Sequence, residues 1–223
     1  MRSEVCRESI LECRLNYSEL QAVIADFANR QDLASRIPTF IQLTEARLNR
    51  DIRHWRMEKR AEAVVTGERF PLPCDWISTI QVKASGKPLR LADAHQVEAV
   101  DHALQRAFVA NHFYRHTGDE LELIPASDGP VDFEIEYVAK IPALSDENDT
   151  NWLLEEFPDV YIYGAMLQVA PFLHDDQRVA LWTQAYGEAV SSANISSDKS
   201  KYSGSALRMQ RHGVPCHDRR HHH

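Results

Sequence analysis

The side chains of this 223-residue chain that could do chemistry fall into a few small groups, and the spacing of each limits what it can do. His112 and His116 would lie on one face of a strand, as two zinc-ligating imidazoles can, but a zinc site needs further ligands and the sequence nominates none. The adjacent pairs Glu155-Glu156 and Asp175-Asp176 have the side chains of general acid–base pairs. Both stand where helices are expected to begin, so their better use is to complement a helix dipole. Cys6, Cys13, Cys74 and Cys216 lack the paired C-x2-C spacing of zinc and redox sites and read as free thiols. No G-x-G-x-x-G, P-loop, H-E-x-x-H or G-x-S-x-G pattern is present. The reading is a protein that is not an enzyme, with no catalytic residues, no cofactor and no metal.

One group remains. Arg47, Arg50, Arg53, Arg56 and Lys59 recur every three residues, the pattern a phosphate-binding stripe would have. On a helix a three-residue step drifts by about 60°, so such cations spiral instead of lining one side. Pairing with Glu45, Asp51 or Glu58, or with another subunit, is the preferred reading, and a DNA-binding packaging accessory is the alternative.

Charge weighs on the same choice. The chain holds 33 acidic against 25 basic residues, and residues 61–205 alone carry 23 acidic and 10 basic, a net −13. General nucleic-acid binding draws most of its affinity from Lys and Arg, so an acidic body argues against it, though a surface past which DNA slides is compatible. With 43% hydrophobic and 26% charged residues the composition is that of a folded chain. No segment reads as a signal peptide or membrane span, so the expectation is a soluble product of the cytoplasm.

The elements that must position these groups centre on Pro158–Leu173, PDVYIYGAMLQVAPFL, apolar nearly all the way round and therefore a buried helix. Before it, Ser18-Glu19-Leu20-Gln21 reads as a capping box opening a helix to about Asn29. A second, longest helix is expected from about Ser35–Pro38 to Arg60, with Ile37, Phe40, Ile41, Leu48, Ile52 and Trp55 on its buried side. Short strands follow at Ala63–Val65, Trp76–Ala84, Phe108–Tyr114, Leu121–Ile124 and Val131–Ala139, interrupted by a short helix over Ala92–Leu104. Turns are expected at Ser85-Gly86, Thr117-Gly118-Asp119 and Ser127-Asp128-Gly129-Pro130. Asp175-Asp176 opens a last long helix.

The predicted fold is therefore α+β, mainly α: a four-helix bundle with a β-rich lobe inserted between helices 2 and 3, and an extended C-terminal arm. The expected parts are an N-terminal arm over 1–16, a helical bundle over 17–60 plus 141–197, the lobe over 61–140, and a C-terminal extension over 198–223.

Three blocks of sequence resemble one family. They are Tyr17-Ser18-Glu19-Leu20 with Ile37-Pro38-Thr39-Phe40-Ile41 and Glu45-Ala46-Arg47-Leu48-Asn49-Arg50; Ile141-Pro142-Ala143-Leu144-Ser145-Asp146 with Asn148 and Thr150-Asn151-Trp152-Leu153-Leu154; and Pro158-Asp159, Tyr161-Ile162-Tyr163-Gly164-Ala165, Ala170-Pro171-Phe172-Leu173 and Tyr202-Ser203-Gly204. Their order over about residues 17–209 resembles the head-to-tail adaptor (head–tail connector) proteins of tailed bacteriophages. The resemblance implies a structural virion protein of the head–tail neck. It would form a ring, commonly a dodecamer, attached to the portal protein and to a tail nozzle or tail-completion protein. Genomic DNA would pass through the ring without specific binding, and no membrane is involved. Within residues 197–209, SDKSKYSGSALRM, the residues expected to meet the portal are Lys199, Lys201, Tyr202, Ser203, Gly204, Leu207, Arg208 and Met209.

Overall fold

The computed structural model of the chain describes residues 15–92, 113–172 and 176–202. The elements in it are α1 (Tyr17–Ala28), α2 (Ile37–Asp51), α3 (Trp152–Glu156), α4 (Pro158–Phe172) and α5 (Asp176–Tyr202), with strands β1 (Glu58–Pro71), β2 (Trp76–Ala84), β3 (Lys87–Pro88), β4 (Arg90–Leu91), β5 (Phe113–Thr117) and β6 (Glu120–Ala139). The helix expected over Ala92–Leu104 lies outside the described residues but for its first.

The four-helix bundle with an inserted lobe is not what forms. The chain folds as α+β, with a nearly closed, barrel-like sheet and, among the described residues, five α-helices. One reason lies at the end of α2. The apolar stripe runs on through Ile52 and Trp55, but the helix stops at Asp51 and Ile52 is already extended, at φ −93° and ψ 135°. Residues 52–57 instead cross α5, whose polar side chains satisfy the backbone of the crossing. Asn194 Oδ1 accepts from the Arg53 N–H at 2.9 Å and Ser197 Oγ accepts from the Trp55 N–H at 2.9 Å. Ile52 is buried as expected; Trp55 is 42% exposed.

The sheet gives the second reason. β1 and β6 are not short strands but a 14-residue and a 20-residue partner, antiparallel from Glu58↔Val138 to Pro71↔Glu120 with register shifts on either side of Gly67. Gly67 takes φ +97°, a conformation that favours glycine, and so absorbs the bend. The Ser127–Pro130 signal therefore marks a bend in a continuous strand, not a reversal. The two halves of β6 take different second partners, β5 along residues 120–124 and β2 along 133–139. Counted on either side of its bend, β6 makes the six strands into seven segments. The curl brings Phe70 of β1 onto Phe133 of β6, ring centroids 4.3 Å apart, and closes a core of Val82, Leu121, Leu123, Phe133, Ile135 and Tyr137. Reversals do occur at Ser85-Gly86, both at positive φ as a two-residue hairpin turn needs, and at Gly118.

Among the helices, α4 is a hub. No residue from Pro158 to Ala170 is exposed, and α1, α2, α3 and α5 all pack against it, while the backbone of α5 approaches α1 and α2 only slightly. Gly164 permits this. A Cβ there would stand 2.5 Å from Thr44 Cγ2 on α2 and 3.3 Å from the Tyr186 ring on α5, so glycine is what lets three helices meet. The first helix is capped by Asn16, two residues before the Ser18 that the sequence indicated. Asn16 accepts from the Glu19 N–H at 2.9 Å, and Glu19 accepts from the Asn16 N–H at 3.0 Å, a complete capping box.

Candidate functional site

The polar side chains that converge do so around the connector between the sheet and α3, residues 140–151. This segment has no regular structure, so its backbone groups need partners elsewhere. Glu45 on α2 accepts from the Leu144 N–H at 2.7 Å, and one turn on, Asn49 Oδ1 accepts from the Ile141 N–H at 2.8 Å. Asn49 Nδ2 in turn donates to the Glu45 carbonyl at 3.0 Å, which fixes its amide. At the other end, Asn151 Nδ2 donates to Pro142 O at 2.7 Å and to the Tyr161 hydroxyl at 2.8 Å, while its Oδ1 caps α3 through the Leu153 and Leu154 N–H groups. The Tyr17 N–H donates to Asp149 O at 2.7 Å, so α1 is tied in as well. Burial pushes the Glu45 carboxyl above its ordinary range, against the hydrogen bonds from Leu144 and Tyr161, and burial raises the Tyr161 hydroxyl too.

This arrangement interlocks the blocks of sequence singled out above. Glu45 and Asn49 from the α2 block hold Ile141 and Leu144 from the connector block, and Asn151 joins that block to Tyr161 of α4. What the network can do is mechanical. It fixes the connector in one conformation without placing a nucleophile or an open ligand position. Sequence reasoning missed the role of these residues; the available signal was a carboxylate and an amide one turn apart on the helix that carries Leu48.

The candidate chemical groups are placed apart. His116 sits on β5 with its ring 5.2 Å from that of Trp76 and Nε2 3.3 Å from Thr79 Oγ1, and burial lowers its pKa. His112 lies outside the described residues, and among the described residues no group of three or more His, Cys, Asp or Glu could hold a metal ion. Glu156 pairs with Arg56 at 2.5 Å, and Asp175 is outside the described residues. Cys74 is exposed and free.

Four cations of the repeat are engaged internally, and of the five only Arg47 and Arg50 lie on the α-helix α2. Arg47 reaches Asp51 at 3.3 Å and lies over the Tyr186 ring, Arg53 donates to the carbonyls of Asn49 and Ile52, Arg56 holds Glu156, and Lys59 holds Asp75 at 2.7 Å. The acidic outer face of β6 is likewise partly neutralised, since Glu134 pairs with both Arg60 and Lys83.

The expected portal-facing residues begin on α5 instead of after it. Lys199, Lys201 and Tyr202 are helical, and Lys201 pairs with Glu58 at the start of β1. Ser203, Gly204, Leu207, Arg208 and Met209 lie outside the described residues. Among the described residues no helix is long and apolar enough to cross a membrane.

Residues 15–210 match the SU10 adaptor protein family, which is nearly all of the chain, and the chain belongs to that family of phage head–tail adaptors. The family is a structural one and not a family of enzymes. No curated protein matches the chain.

Proposed function

Because the chain belongs to a family of phage head–tail adaptors, we propose that it is one subunit of a homo-oligomeric ring, twelvefold by the resemblance, seated beneath the portal in the virion neck. The ring joins the portal to a tail nozzle or tail-completion protein and continues the channel through which the genome passes. The observation that carries this reading is the family match over residues 15–210, which takes in every block of the interlocked connector. A connector held at Leu144, Ile141 and Asn151 suits a part that transmits contact between neighbours above and below, because it keeps its shape under load.

The portal-facing element is the extension made of Lys199, Lys201, Tyr202, Ser203, Gly204, Leu207, Arg208 and Met209. Its cations and apolar anchors fit a groove with an acidic rim. Ser197 and Lys201 support the Trp55 crossing from α5, so a deletion reaching back to Ser196 would disturb the fold. A chain ending at Tyr202 is the sounder test. Co-sedimentation with portal should fall at least tenfold relative to the full chain, and equal binding would move the attachment to the helices. The net −13 of residues 61–205 leaves the channel acidic on balance, so DNA slides through it. With Arg47, Arg53, Arg56 and Lys59 engaged, fluorescence anisotropy at moderate salt should give no tight, steeply salt-dependent DNA binding. Such binding would favour a packaging accessory instead.

A further inference from the structure

Trp55 is a large apolar side chain held rigidly at the surface. The backbone N–H of Trp55 donates to Ser197 Oγ, the buried His54 before it stacks on Trp152 at 4.8 Å, and the Arg56 guanidinium lies 5.4 Å from the Trp55 ring centroid. The indole stands between two hollows. One, of about 350 Å³, is lined by Trp55, Arg56, Glu58 and Trp152; the other, of about 340 Å³, by Trp55, Glu58, Ser200 and Lys201. The second hollow is walled by Ser200 and Lys201 in the last turn of α5, so the described part of that helix ends beside it.

Residues 203–223 follow from that point. Ser203-Gly204-Ser205 is a small-residue triplet whose glycine suits the reversal that commonly ends a helix, and Leu207 and Met209 come directly after it. At about 3.3 Å per residue, Leu207 is within roughly 17 Å of Tyr202, enough to turn back onto the indole. We propose that, in the free subunit, Leu207 and Met209 of the same chain occupy the hollows flanking Trp55. A tether of a few residues makes the intrachain partner present at millimolar effective concentration, which a second copy reaches only in concentrated solution. Docking there covers the apolar anchors of the extension until a partner displaces them. This goes beyond the portal-binding reading, and its test uses the free chain alone, so the two fail separately.

The test is fluorine NMR of the full chain labelled with 5-fluorotryptophan, which gives one resonance for each of the four tryptophans, with Trp55→Phe assigning that of Trp55. The double substitution Leu207→Ser, Met209→Ser should shift the Trp55 resonance, and to a lesser extent that of Trp152, while Trp76 and Trp182 stay in place as a check on folding. A Trp55 resonance unmoved by the double substitution would overturn the proposal. So would a wild-type Trp55 resonance that moves on dilution, because that would put a second copy in the hollows.

Discussion

The Glu45 carboxylate on α2 accepts a 2.7 Å hydrogen bond from the backbone N–H of Leu144, and both groups are buried. The two residues lie 99 positions apart, and between them the chain builds the whole sheet. The bond therefore ties the end of the sheet's excursion back to the helix that precedes it. A charged oxygen taken out of water for this purpose has a pH signature.

Burial raises the Glu45 pKa above its unfolded value, so the folded state binds this proton more tightly than the unfolded state does. Stability from this group is then greatest below the unfolded pKa of about 4.5 and falls as pH rises through the raised folded value. Glu45→Gln keeps an oxygen for the Leu144 N–H and removes the titration. Other carboxylates, such as Glu134 with its Lys83 and Arg60 partners, have lowered pKa values and opposite slopes, so the quantity to measure is the difference between wild type and Glu45→Gln. Urea unfolding at a series of pH values should show wild type losing stability relative to the variant as pH rises above 4.5. A flat difference would mean that the carboxylate is not desolvated.

Gly164→Ala tests the hub. The added Cβ meets Thr44 Cγ2, which cannot swing aside freely because Thr44 is β-branched and its hydroxyl donates to Phe40 O at 2.8 Å. Overpacking of this kind costs about 1–3 kcal/mol, against the small gain that alanine normally brings to a helix. Denaturant unfolding should show a net loss, and a gain in stability would mean that α2, α4 and α5 pack less closely than described.

Two asparagine caps should differ in worth. Asn16→Ala removes an exposed capping box, a loss of about 1 kcal/mol. Asn151→Ala removes the cap of α3 and also takes away the donor to the Pro142 carbonyl and to the buried Tyr161 oxygen, whose own O–H still reaches Glu45, which adds up to about 2–4 kcal/mol. Equal losses in urea melts would show that the connector is not held through Asn151.

Much of this fold was legible in the sequence where the signal was local. Pro158–Phe172 is apolar all round, and the alternation of Phe133, Ile135, Tyr137 and Ala139 with polar residues gave their strand one buried face. What could not be read depends on partners far along the chain. The end of α2 is set by Asn194 and Ser197, more than 140 residues on, so the apolar stripe through Ile52 looked like more helix. Gly129-Pro130 looked like a reversal because nothing local says that β1 pairs across it. The connector network was hidden for the same reason. Glu45 and Asn49 are ordinary polar residues until Leu144 and Ile141 are beside them. The family blocks held these residues without indicating what they do.

The central claim, a ring beneath a portal, is tested most directly by cryo-electron microscopy of the full chain mixed with the portal protein of the same phage. A closed ring of subunits seated on the portal is expected, twelve by the resemblance, with density for residues 203–209 continuing from α5 onto the portal. Particles showing the portal bare beside single, unassembled subunits, under conditions where both proteins are folded, would contradict it.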